Sequence, residues 1–223
     1  MKQKIFENLL RSSLVLLLAS GATLACAQAD EGLVARQLFE QQRWEQLVDL
    51  HVASPRSAEV DYELGMALAH LERWEEARSA LREGSRLAPT DKRFLIELAG
   101  VAFKQKKQDE SIAYLRRALR LDPEDSYAND FLATVYFLQG NLEAALKYWN
   151  RVEKPAIEQV SSEPVPRLRP ALLDHAFAMA PASMFTLEEL RASNARLQAL
   201  DVFPSYRFDL VALPEGISMA TLP

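Results

Sequence analysis

The chain repeats itself at a fixed interval. Pro89 and Pro123 lie 34 residues apart. Shifting the sequence by that interval brings its small and apolar residues into register. Leu64-Gly65 falls on Leu98-Ala99 and Leu132-Ala133, and Ala77 on Ser111 and Ala145. Leu81 falls on Leu115 and Trp149, and Gly84 on Ala118 and Val152. A period of this size marks a supersecondary unit that cannot bury its own apolar face and completes its core by stacking on its neighbours.

Each block reads as two helices. Residues 58–71 carry Leu64, Leu68 and Leu71 at helical spacing, and 74–87 carry Ala77, Leu81 and Leu87. The same reading gives helices over 92–105 and 108–121, then 126–139 and 142–152, with Gly140-Asn141 as the turn inside the last pair. Asp91 and Asp125 stand where a side-chain oxygen can cap free helix N–H groups, just after prolines that stop the preceding helix.

The pattern Asp61-x-x-Leu64-Gly65-x-x-Leu68, then Ala77-x-x-x-Leu81, then Pro89 resembles the tetratricopeptide repeat. The first position, usually Trp in that family, departs and is Asp61. Gly65, Ala99 and Ala133 are small where paired helices cross closely, as are Ala77 and Ala145, and Leu81, Leu115 and Trp149 fill the space between repeats. Arg43-Trp44-Glu45 echoes Arg73-Trp74-Glu75, so 31–54 reads as a fourth, degenerate repeat with Val34, Ala35 and Leu38 on its first helix. The expected fold is all-α: a tetratricopeptide α-solenoid over 28–154, followed by a small helix plus β-hairpin.

In that family the first helices line a concave groove. The resemblance places Tyr62, Met66 and His70 there from one repeat, with Glu59 and Ala69. The next repeat contributes Arg93, Ile96, Phe103 and Lys104, with Gly100. The last contributes Tyr127, Asp130 and Phe137, with Thr134 and Leu138. So many apolar side chains among a few cations suit a protein or peptide ligand of acidic or amphipathic character. The alternative is that some of them pack against the chain's own tail. The family's carboxylate clamp uses Lys and Asn at groove positions that here hold Tyr62, Met66 and Ile96, so grip on chaperone C-termini is not expected.

The N-terminus has the grammar of a signal peptide over 1–27: Lys2, Lys4 and Arg11, an apolar run from Leu14, and Ala25-Cys26-Ala27 as a cleavage pattern. Cleavage removes a segment of net charge +2 and takes the chain from −5 to −7. Lipidation of Cys26 is the alternative, though Thr23-Leu24-Ala25-Cys26 resembles a lipobox poorly. Cleavage after Ala27 leaves no cysteine in the mature chain. The expected location is the periplasm, with association to the outer membrane as the alternative.

Beyond the repeats, Pro155, Pro164, Pro166 and Pro170 read as an extended linker over 155–170. The tail, 171–223, opens with the end of a short helix over 170–180. Thr186 and Glu189 form a capping box, with Phe185 and Leu190 as a staple, for a helix running to about Leu200. Residues 206–211 alternate as a strand, Pro214-Glu215-Gly216 turns, and 217–222 returns. The stretch from Leu187 to Val211 resembles the helix-then-strand half of a POTRA module, the periplasmic repeat in front of outer-membrane β-barrels, over 183–213. The first strand of that module is not evident. The resemblance implies an outer-membrane protein partner and, as a second function, a part in outer-membrane assembly or export, the chain being a short relative of a larger protein.

Enzymatic chemistry is not expected. His51, His70 and His175 have no second His or Cys at metal-ligand spacing, so neither metal nor cofactor is expected. Acid pairs such as Glu75-Glu76 and Asp109-Glu110 sit at helix starts, where the dipole favours them. An acidic chain without a basic domain disfavours nucleic acid as partner. The function read from the sequence is a protein-binding scaffold or adaptor in the bacterial envelope.

Overall fold

The structure, a computed structural model, describes residues 32–53, 55–162, 170–201, 205–213 and 216–222. The segment 1–27 read as a signal peptide, with Cys26, most of the second half of the proposed linker and the turn residues Pro214-Glu215 lie outside them. The chain divides into two compact units, one ending at Ala88 and one beginning at Pro89.

The first unit is built from helix pairs. Helix α1 (32–40) pairs with α2 (Trp44–Ala53), and α3 (Ala58–His70) with α4 (Trp74–Leu87). The degenerate repeat is thus a true helix pair, and Trp44 packs edge-on against Phe39 at 5.3 Å in its turn. Ala35, Leu47, Val48, Leu64, Ala67, Leu68, Ala77, Ala80 and Leu81 form the core. Gly65 shows why one crossing point must be small. A Cβ there would lie 2.5 Å from Leu81 Cγ, and Leu81 is fully buried with nowhere to move.

The departure from Trp at position 61 puts a carboxylate in this core. Asp61 is wholly buried and ion-paired with the half-exposed Arg56. Burial pushes its carboxyl above the ordinary aspartate range, and Arg56 only partly offsets this. Nearby on α2, buried His51 places Nε2 2.8 Å from Glu63 Oε2.

The second unit stacks α5 (Lys92–Lys104) with α6 (Gln108–Leu121) and α7 (Ser126–Leu138) with α8 (Leu142–Trp149). The expected caps are present: Asp91 accepts from the Arg93 N–H at 3.0 Å and Asp125 from the Ala128 N–H at 2.7 Å. Lys92 binds both Asp122 and Asp125, tying the start of α5 to the loop before α7. In both units the residue ending each intra-pair turn has positive φ: Gln42, Glu72, Lys106 and Gly140, the last three 34 apart. Leu115 is fully buried as expected. Trp149 is not its equivalent. It is half-buried, donating its indole N–H to Asp130 at 3.0 Å and packing on Phe137 at 5.4 Å.

The tail is richer than a helix plus hairpin. After a 3-10 turn (Asn150–Val152) come β1 (Ala156–Ile157) and β2 (Gln159–Ser162), inside the segment read as a linker. Then follow α9 (Pro170–Ala176), β3 (Ser183–Met184), α10 (Leu187–Leu200), β4 (Arg207–Leu213) and β5 (Gly216–Leu222). β5 is central: it pairs antiparallel with β4, Leu213 opposite Gly216, and parallel with β2, Gln159 opposite Ser218. β1 pairs antiparallel with β3. The capping box at Thr186 and Glu189 is present. Leu146 of α8 shares one core with Ile157, Met179, Phe185, Leu190, Leu197, Phe208 and Leu210. The tail is therefore continuous with the last repeat, and 155–170 does not begin as a linker between separate bodies.

Gly65→Ala is expected to cost about 1–3 kcal/mol by overpacking, read as a lower denaturation midpoint, and adding Leu81→Ala is expected to cost less than the sum of the two single losses. Asp61 makes a pH prediction. Its carboxyl binds a proton more tightly folded than unfolded, so its contribution is fully present below the unfolded value of about 3.9 and is lost as pH rises through the folded value. Asp61→Asn should gain in melting temperature relative to the native chain as pH is raised from 4 to 7; a constant difference across that range would contradict this.

Candidate functional site

Among the groove candidates of the second unit, an aromatic series stands out on α5 and α7. Phe103 meets Phe131 edge-on at 5.5 Å, and Phe131 lies 6.0 Å from Tyr127. Both Phe103 and Phe131 are half-buried, whereas Tyr127 is 65% exposed. Partial desolvation, and then the Glu97 carboxylate, push the Tyr127 phenol above its usual range, so it stays a neutral donor at any physiological pH. Phe131 was not read from the sequence. It sits one helical turn after Tyr127, and that i, i+4 aromatic pair was the signal available.

Tyr127 opens onto an open pocket of about 540 Å3, lined by Ser126, Tyr127, Asp130, Arg151, Val152, Glu153 and Lys154. Asp130 is engaged rather than free. It accepts from the Trp149 indole and forms a 2.9 Å ion pair with Lys154. The pocket thus joins one exposed aromatic ring to a cation, Arg151, that meets no carboxylate among the described residues, and to a second, Lys154, held at the rim. The arrangement can hold a side chain or terminus with mixed aromatic and anionic character.

Several candidates are placed elsewhere. Phe137 is spent on the tail: it packs against Trp149 and the tail's core and borders a separate hollow of about 240 Å3 with Leu142, Arg207 and Phe208. Arg93 is held by Asp91 at 2.8 Å. Ile96 is half-buried and Lys104 exposed. In the first unit, Tyr62 and Met66 are half-buried, and His70 is exposed but stacked face to face on Trp44 at 4.2 Å. Among the described residues there is no cluster of three His, Cys, Asp or Glu able to hold a metal.

A stack of helix pairs with small residues at the crossings and an aromatic-lined first-helix face defines a helical-repeat interaction module. The family model for the tetratricopeptide repeat matches residues 41–92, 71–126 and 96–159, together 41–159 and more than half of the 223-residue chain, and the chain belongs to that family. No match is found among curated proteins. Among solved structures, a crystal structure of MamA is 19% identical over 52% of this chain and 71% of that one, with TM-score 0.50. A second structure of MamA protein has the same identity and TM-score and covers 52% and 66%. YrrB, described as a TPR protein with an unusual peptide-binding site, is 18% identical over 52% of this chain and 62% of its own, with TM-score 0.49. At these identities the MamA likeness establishes the fold.

Phe137→Ala is expected to destabilise the protein by roughly 2 kcal/mol, about half the cost at a fully buried site. Tyr127→Ala is expected to change stability by less than about 0.5 kcal/mol. Denaturant titration separates the two.

Proposed function

We propose that this protein is an exported, non-catalytic adaptor of the bacterial envelope that binds a protein or peptide along α5 and α7. One observation carries the reading: Phe103, Phe131 and Tyr127 run in series to a pocket rimmed by Arg151 and Lys154. Aromatic anchors beside exposed cations are what a surface for an amphipathic or acidic peptide needs. The N-terminal signal pattern supports export to the periplasm. Tagged protein would be recovered from native envelope after mild crosslinking, and its partners identified by mass spectrometry. A soluble periplasmic partner that is kept by the native chain and lost by Phe103→Ala and Tyr127→Ala is the expected result. Retention by both variants would refute this site.

A second reading has its own observation. The sequence resemblance to a POTRA module lacked a first strand, and β2 stands in that place, parallel to β5 at the edge of the sheet. α9, the two-residue β3, α10, β4 and β5 then follow in order. This supports a role in an outer-membrane assembly or export machine, the tail docking on a barrel or transport lipoprotein. Enrichment of such a protein, kept by Tyr127→Ala but lost by Val211→Lys on the exposed side of β4, would favour it. Deleting 183–223 is a poor test because it strips the core around Leu146.

A further inference from the structure

We propose that the face formed by α6, α7 and α8 is a second docking surface, fitted to a short carboxylate-rich protein segment. It is built from Arg116, Arg120, Tyr136, Lys147, Tyr148 and Arg151. Tyr136 and Tyr148 lie nearly parallel, their rings 5.9 Å apart and inclined by 12°. The Arg116 side chain stands near the Tyr136 hydroxyl at one end of this pair. At the other end the Arg151 guanidinium lies 5.2 Å from the Tyr148 ring centre and the Lys147 ammonium 5.9 Å from it. Arg151 is further steadied by Asn129 Oδ1 at 3.3 Å. Arg120 follows one turn after Arg116 and reaches back to the Arg116 carbonyl at 3.5 Å.

Several arginines elsewhere in the chain are matched by a carboxylate, while Arg117 rests on the Tyr114 ring and Arg196 on the His175 carbonyl. Arg73 pairs with Glu76, Arg86 with Glu83, Arg93 with Asp91 and Arg191 with Glu143. The four cations of the strip are all exposed, and none meets a carboxylate among the described residues. They are held instead by phenol rings and by neutral oxygens, which fix their positions without neutralising them. A guanidinium resting on an aromatic face keeps its N–H edges free for a planar anion. Gathering unmatched like charges costs energy that a bound anion relieves.

The chemistry of the occupant follows from the balance of charge. The chain carries a net −5. An extended polyanion, such as a nucleic acid or an anionic bilayer, would press its field on the acidic remainder as well as on the strip. A short acidic segment confines its charge to the four cations. Glutamate and aspartate side chains also match the pairing that the chain's own arginines use elsewhere. Tyr136 and Tyr148 are not among the first-helix groove positions, so this surface stands apart from the proposed groove; only Arg151 also borders the pocket beside Tyr127.

The test uses the full chain and a short poly-L-glutamate peptide as probe, followed by isothermal titration at two salt concentrations. Parallel titrations use vesicles of phosphatidylglycerol and phosphatidylcholine. Binding that weakens with salt is expected, with at least about a tenfold loss of affinity in Arg116→Glu/Lys147→Glu. Neither residue lines the pocket. Arg116→Gln/Lys147→Gln is expected to lose less, and Tyr127→Ala nothing, with circular dichroism unchanged throughout. Undiminished binding by both double variants overturns the proposal. So does binding to the vesicles alone, which would make the strip a lipid contact, and so does loss of poly-glutamate binding in Tyr127→Ala, which would return the anion to the groove.

Discussion

The structure depends on how closely paired helices cross. At Gly65 the backbone of α3 comes so near Leu81 that a single methyl group would collide with it. That approach lets a whole leucine side chain vanish into the pair, and it leaves the next apolar residues along α3 facing outward for a neighbour to cover. Ala99 and Ala133, both fully buried, hold the same place in the second unit. The turn inside each pair must then reverse the chain within a few residues, and it does so through one left-handed residue. Gly140 adopts that conformation freely, whereas Glu72 and Lys106 adopt it against the preference of their side chains. Repetition of a crossing and a turn at one interval is what makes the sequence periodic.

What could be read from the sequence divides along the range of the interactions. The helix pairs, the Asp91 and Asp125 caps and the Thr186–Glu189 box were legible because each is decided within a few residues. The pairing of β2 with β5 was not. Gln159-Val160-Ser161-Ser162 is too short to show alternation, it sits among prolines, and its partner is more than fifty residues away. The candidate site was legible in part. Tyr127 is exposed and Phe103 is half-buried beside Phe131, whereas Phe137 and Trp149 pack against each other and toward the tail. No repeat pattern could report that, because the cause is the arrival of a tail whose core extends to Leu146. His70 was likewise claimed by a ring on another helix.

The repeats also tolerate polar residues at a place where the family usually keeps a large aromatic one. Asp61 and Asn129 occupy that position in two repeats and are buried, with Leu95 between them. Each has an arginine arriving from outside its own helix, Arg56 for Asp61 and Arg151 for Asn129. Asn129 additionally donates to the Pro123 and Asp125 carbonyls at 2.9 Å, so its amide organises the turn that leads into α7. A neutral side chain with four hydrogen-bonding sites meets little cost there. A carboxylate with one cation meets more, and of the two side chains only the carboxylate can take up a proton to lessen that cost.

The central place of β5 has a consequence for a chain that emerges from its N-terminal end. Every helix pair can close as soon as its second helix is out, since its contacts are local. The three-stranded sheet obeys a different order. β2 leaves early with both of its edges unpaired, and the strand that fills one of them comes only after α9, α10 and β4 have passed. Leu146 of α8 likewise waits for its cover, which comes from Ile157, Met179, Phe185, Leu190 and Leu197 as the tail emerges. Anything that delays the tail would therefore leave the last repeat without part of its core while the earlier repeats are already folded, and a delay of β5 alone would leave β2 and β4 unpaired.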